Sequence, residues 1–259
     1  MPSINISKIK HIAVIMFREL VRDKVFLSLS GAAILLVFAS LILNEMVVGQ
    51  QIKATKDLGL SVLNIFSLFI LIFLGVNLVS RDLGNQSLYL LFSRPVSRSE
   101  YLVGSSVSVL AAVISGIVMM SGTIFLLSIL QGEFWLGGLL AAGYLTLLEM
   151  MILLALAMLF VLITSPQLAM FLTLLLYVIG HTIQQALQIV ANSSNAALKY
   201  FIIVMHALLP NLEFFNKKAA IVYHLPIPAS YFLHATGYAL AYTVVVFIIA
   251  VQVFKRKEL

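Results

Sequence analysis

The sequence predicts an all-α, polytopic membrane protein with six transmembrane helices, and three observations carry that expectation. Of 259 residues, 62% are hydrophobic and only 10% charged, where a soluble domain carries about 25% charged residues. The mean hydropathy is +1.09. Six stretches, at about 25–46, 58–79, 102–130, 135–163, 167–191 and 230–254, each supply the roughly 20 apolar residues that a helix needs to cross a ~30 Å hydrocarbon core. None shows strand-like alternation, and a lipid-exposed backbone must satisfy its own hydrogen bonds, so the spans are helices rather than barrel strands. We treat 1–259 as a single transmembrane domain.

Residues 5–24 place Ile9, Ile12, Ala13, Met16 and Leu20 on one helical face. Lys8, His11, Arg18, Arg22 and Asp23 fall largely elsewhere, which predicts an amphipathic helix in the membrane interface ahead of the first span. The alternative is a plain extension of that span. Charges persist to Lys24, so no cleavable signal peptide is expected.

The connection after span two, "SRDLGNQSLYLLFSRPVSRSEY" at 80–101, holds five charges, a glycine and a proline. At 100° per residue, Asp82, Asn85, Gln86, Tyr89 and Ser93 cluster against Leu83, Leu88, Leu90, Leu91 and Phe92, predicting a short amphipathic helix over 81–94. Pro95 disfavours helix at Arg94 and stops it. Ser97 as N-cap and Glu100 three residues on form a capping box, with Val96 and Tyr101 at the hydrophobic-staple positions. Span three is thereby started at a defined place and angle. Along it, Gly104, Ser108, Ala112 and Gly116 make a seam of small residues that permits close helix approach, either within the subunit or to a second copy.

Span four carries Glu149 near its middle, where an ionised carboxylate is costly unless paired or neutralised. Span five offers a polar stripe at His181, Gln184, Gln185 and Gln188. Ser165 and Pro166 make the turn between them tight, so the two helices run antiparallel with Glu149 and His181 within about one turn of each other in depth. The pair is either the lining of a polar pathway or a buried helix-to-helix hydrogen bond, and the second reading is favoured because isolated polar residues often serve packing. Residues 192–229 include the apolar "LKYFIIVMHALL" before Pro210. That run is too short to cross and predicts a re-entrant or interfacial segment.

Lysine and arginine set the orientation. With six spans, Lys8, Lys10, Arg18, Arg22, Lys24, Arg81, Arg94, Arg98, Lys255, Arg256 and Lys257 share one side, against Lys53, Lys56, Lys199, Lys217 and Lys218 on the other. Both termini are therefore expected in the cytoplasm and 192–229 outside. The net charge of +6 fits contact with anionic lipid headgroups and requires no nucleic acid.

With no cysteine, thiol chemistry is excluded. No phosphate-binding loop, zinc helix or nucleophile elbow occurs in the chain. The remaining histidines are scattered at 11, 206, 224 and 234. No catalytic residue and no metal site is expected, and no cofactor on this chain.

At residues 80–101 the sequence resembles the permease subunits of type-2 ATP-binding-cassette transporters. The resemblance rests on Asp82, Gly84, then "SRPVSR" from Ser93 to Arg98, then Glu100. "FRELVRDKVF" at 17–26, with Arg18, Glu19 and Arg22, looks like that family's interfacial helix, and "VFKRKEL" at 253–259 like its basic tail. Ser105 stands where many relatives carry a lysine. Within the family, the outline looks closest to permeases of copper-enzyme maturation or gliding motility. The resemblance implies an exporter subunit in a bacterial or archaeal inner membrane, paired with a second permease copy. Its coupling helix, with Asp82, Gly84, Leu88, Leu91, Arg94, Pro95, Ser97, Arg98 and Glu100, would engage a separate ATPase subunit that holds ATP and Mg. Two further readings remain: an intramembrane enzyme using Glu149 and His181, and a membrane scaffold without transport.

Overall fold

The structure is a computed structural model that describes residues 6–44, 51–84, 97–191 and 196–256. The described residues are helical with short connections and contain no strand. Helix α1, Ile6–Arg22, buries Ala13, Met16 and Leu20 and lies along the start of the later helix Arg98–Leu130. At Asp23 the chain bends by 57° into α2, Lys24–Asn44. The Asp23 carboxylate accepts the Val25 N–H at 2.7 Å and so satisfies a donor at the start of α2 that has no intrahelical partner.

Helix α3, Gln51–Phe69, continues through a π-helical stretch, Ile70–Val76, into α4, Asn77–Gly84. The 31 residues from Ile52 to Asp82 form one candidate span, and at 1.5 Å per residue it is roughly 46 Å long, enough to project beyond a ~30 Å core. Ile70, Leu71, Ile72, Leu74, Gly75 and Val76 of the π stretch are all buried, against the helices Arg98–Leu130 and Leu136–Ile163. A π turn rotates the side chains that follow it relative to a regular helix. Sequence periodicity gave no sign of it.

Helix α5, Arg98–Leu130, ends in a Schellman turn at Gly132, whose φ of +83° suits a residue without Cβ. The closing bond runs from the Glu133 N–H to the Ser128 carbonyl, 2.9 Å. Helix α6, Leu136–Ile163, turns tightly at Thr164 and Ser165 into α7, Pro166–Ala191. Then follow α8, Ala196–Leu208, a 3-10 turn, Leu212–Phe215, α9, Lys218–Val222, and α10, Ala229–Arg256.

The small-residue seam of α5 packs inside this chain. A Cβ on Gly104 would lie 2.7 Å from Ile12 Cγ2 of α1, and one on Gly116 would lie 2.6 Å from Ile70 Cδ1. The core of the bundle is the α3–α4 rod and α6, in which 72% of the most apolar window is buried, against 28% in α7 and 22% in α10. Large apolar side chains such as Leu233, Leu240, Val244 and Ile248 stay exposed on α10, as suits lipid contact. Among the described residues, five helices are long and apolar enough to cross a membrane, or up to seven if each of two bent pairs counts as one span. The second bent pair is Ala197–Leu208 with Leu212–Val222, also at 57°.

Candidate functional site

Two sets of polar side chains stand out, one at the end of the bundle that carries Arg98 and Phe254, the other inside it. The first is a joint around the 80–101 connection. Ser97 accepts the Glu100 N–H at 3.2 Å, while the Glu100 carboxylate, 4% exposed as a residue, accepts the Ser97 N–H at 2.8 Å. The capping box holds the first turn of α5. From the next position, Tyr101 donates its hydroxyl to Asp82 at 2.7 Å, and Tyr101 itself is fully buried. The last turn of α4 and the first of α5 are thus tied across the intervening segment.

Arg98 donates to the carbonyls of Phe254 at 3.0 Å and Lys255 at 3.2 Å. Those carbonyls belong to the last turn of α10, where a cation is favoured. Arg81 pairs with Glu19 of α1 at 2.5 Å, with both side chains about half exposed, and lies 4.0 Å from Asp82. Arg18, Glu19 and Arg22 line an open cleft with Asp23 and Lys24. Gly84 closes α4. Leu88, Leu91, Arg94 and Pro95, and with them most of the expected 81–94 helix, lie outside the described residues. Asp82 and Arg98 are therefore engaged inside the chain, a role that the sequence reading had not given them.

The second set centres on Glu149, whose side chain is 1% exposed. His181 Nε2 lies 2.8 Å from Glu149 Oε1, and Asn64 of α3 donates to Glu149 Oε2 at 2.8 Å. The Asn64 carbonyl in turn accepts the Tyr177 hydroxyl at 2.6 Å. On the other side of the imidazole, His181 Nδ1 lies 3.1 Å from Glu213 Oε2. Asn216 donates to the same Glu213 carboxylate at 3.1 and 3.2 Å.

Gly180 explains how Glu213 reaches His181. A Cβ there would lie 2.6 Å from Leu212 Cγ and 3.1 Å from the Pro210 carbonyl, so only glycine lets the turn after α8 press against α7. Leu212 is fully buried by that approach. Gln184 accepts from Asn211 Nδ2 at 3.2 Å and faces His206 at 3.2 Å, binding the same turn one helical step further along. Gln188 is exposed on α7 and does not join the cluster. A cavity of about 10 Å³, lined in part by Asn64, Thr146, Asn216 and Lys218, has room for about one water.

Asn64, Tyr177, Glu213 and Asn216 are partners that the sequence reading did not single out. The available signal was slight: one amide in an apolar run and one carboxylate between Leu212 and Phe214. Among the described residues no group of three or more His, Asp or Glu side chains is arranged to hold a metal ion. A scan of protein-family models and a search of curated proteins find no match to the chain.

Proposed function

We propose that the chain is the membrane-spanning permease subunit of an ATP-driven transporter of the type-2 ATP-binding-cassette class, an exporter working as a pair of permeases with two separate ATPase subunits. In this reading α2, the α3–α4 rod, α5, α6, α7 and α10 are the six spans. Helix α1 lies in the cytoplasmic interface, and α8 to α9 form a re-entrant segment on the outer side. Both termini face the cytoplasm of a bacterium or archaeon.

The observation that carries the proposal is the joint beneath the 83–96 segment. Its two feet are clamped by the Tyr101–Asp82 hydrogen bond, the second foot is indexed by the Ser97–Glu100 capping box, and Arg98 ties it to the end of α10. The ends of the α3–α4 rod and α5, joined this way, can move as one body, and that is what transmission of a push from a bound ATPase requires. Asp82, Arg98 and Glu100 serve as positioning residues, while Leu88 and Leu91 supply the apolar contact. An intramembrane enzyme at Glu149 and His181 is the weaker reading, since both Glu149 oxygens and both His181 ring nitrogens are already engaged by side chains of this chain.

The test is purification of the tagged full-length chain from its native membrane. The proposal expects an ATPase subunit in equal number with the permease and ATP hydrolysis by the isolated complex. Recovery of the chain with no ATPase would overturn it. A bound ATPase whose activity ignores the 83–96 segment would indicate a scaffold instead.

A further inference from the structure

The cluster around His181 fixes how many protons it must hold. Both ring nitrogens face carboxylate oxygens, at 2.8 Å to Glu149 and 3.1 Å to Glu213. Each contact is a hydrogen bond only if a proton lies between its two atoms. A neutral imidazole carries one N–H, so two ionised carboxylates and a neutral His181 leave one lone pair pointed at an anion. Keeping both bonds requires one proton more than that, and the proton has three places to sit. On His181, both nitrogens donate. On Glu213, its O–H donates to Nδ1 and Nε2–H donates to Glu149. On Glu149, its O–H donates to Nε2 and Nδ1–H donates to Glu213.

We propose that Glu149, His181 and Glu213 together bind a single exchangeable proton, taken up from and returned to the end of the bundle on which Glu213 opens. Transfer is a relay. As Glu213 gives its proton to Nδ1, Nε2–H passes to Glu149 Oε1; the O–H bond at Glu213 and the N–H bond at Nε2 break, and N–H at Nδ1 and O–H at Glu149 form. Charge is conserved and the imidazole exchanges tautomers.

Direction follows from exposure and from where the chain of polar groups stops. Side-chain exposure falls from 30% at Glu213 through 18% at His181 to 1% at Glu149. Beyond Glu149, Asn64 and Tyr177 close the network. The hydroxyls toward the Arg98 end, Ser67 and Thr173, are turned back onto Leu63 and Ala169 carbonyls of their own helices. The neighbouring Leu153, Leu154 and Ala157 are buried and apolar. Among the described residues, the arrangement is a site with one entrance rather than a channel.

Other groups act on this proton. Lys218 of α9 lies within electrostatic range of Glu149, Glu213 and Asp57. Tyr177 of α7 and Tyr231 of α10 lie within range of Glu213, and α3 presents the uncharged Asn64. Lys218 favours loss of the proton; the proximity of two carboxylates favours its retention. The inference stands whether or not the chain serves a transporter.

The test uses the full chain in lipid bilayers with nitrogen-15-labelled histidine, at a pH about one unit above the ordinary histidine value of about 6.5. Substitution His181→Gln identifies the resonance. We expect one of two signatures in the unaltered chain: an imidazole protonated on both nitrogens, or a protonated carboxyl band in the infrared. Glu149→Gln and Glu213→Gln should each abolish it, because an amide can donate or accept and removes the need for the extra proton. In vesicles with all copies oriented alike, the signature should follow pH on the Glu213 face, and the vesicles should hold an imposed pH gradient. A singly protonated His181 without a protonated carboxyl overturns the proposal. So does a signature that survives both substitutions, one that follows the opposite face, or a gradient that collapses.

Discussion

Tyr101 shows how much one hydroxyl can carry. It is fully buried and its hydrogen bond is the direct link from the start of α5 to Asp82 at the end of α4. Substitution Tyr101→Phe keeps the ring and leaves a carboxylate without its donor, so it should cost about 1–3 kcal/mol, read as a lower unfolding temperature in detergent. Lys56, at the opposite end, is buried over the Trp135 ring, 4.3 Å from its centre, and pairs with Glu133 at 2.6 Å. The hydrogen bond from Lys56, with a smaller part from His224, holds Glu133 below the ordinary carboxylate range. A depressed folded-state value contributes stability above the unfolded value and loses it as the pH falls through the folded one. Glu133→Gln should therefore destabilise the chain at neutral pH, and the gap between variant and wild type should close on acidification below about pH 4. A gap that stays constant across that range would show that the ion pair contributes nothing.

Among the elements, the turn after α8 depends on Gly180. Gly180→Val would drive a side chain into Leu212, and overpacking of this kind costs about 1–3 kcal/mol. The same change should part Glu213 from His181, so the His181 resonance should move while Glu149 keeps Asn64; an unmoved resonance would mean the turn relaxes without loss of contact. Sequence periodicity was sufficient for the long helices, because apolar length alone specifies a span, and for the start of α5, because a capping box is a local signal. The Glu149–His181 contact was within reach for a similar reason: a two-residue turn fixes two antiparallel helices in depth. Glu213 was not, since its approach depends on a glycine 33 positions earlier in the chain and on the bend at Pro210. The π stretch was equally silent, as Ile70–Val76 is apolar on every side and carries no periodicity to disturb.

For the whole molecule, the α3–α4 rod and α6 form the buried centre, with the Asp82–Tyr101 joint at one end and the Glu149–His181–Glu213 cluster within. The central claim is that force from another protein's ATP hydrolysis enters through the 83–96 segment. The measurement that tests it most directly is ATP hydrolysis by the complex purified with the tagged chain, comparing wild type with a Leu88→Asp, Leu91→Asp variant whose helices unfold at the wild-type temperature. The account predicts that the variant loses the ATPase subunit or its permease-dependent activity. A variant that retains both in full measure would contradict it.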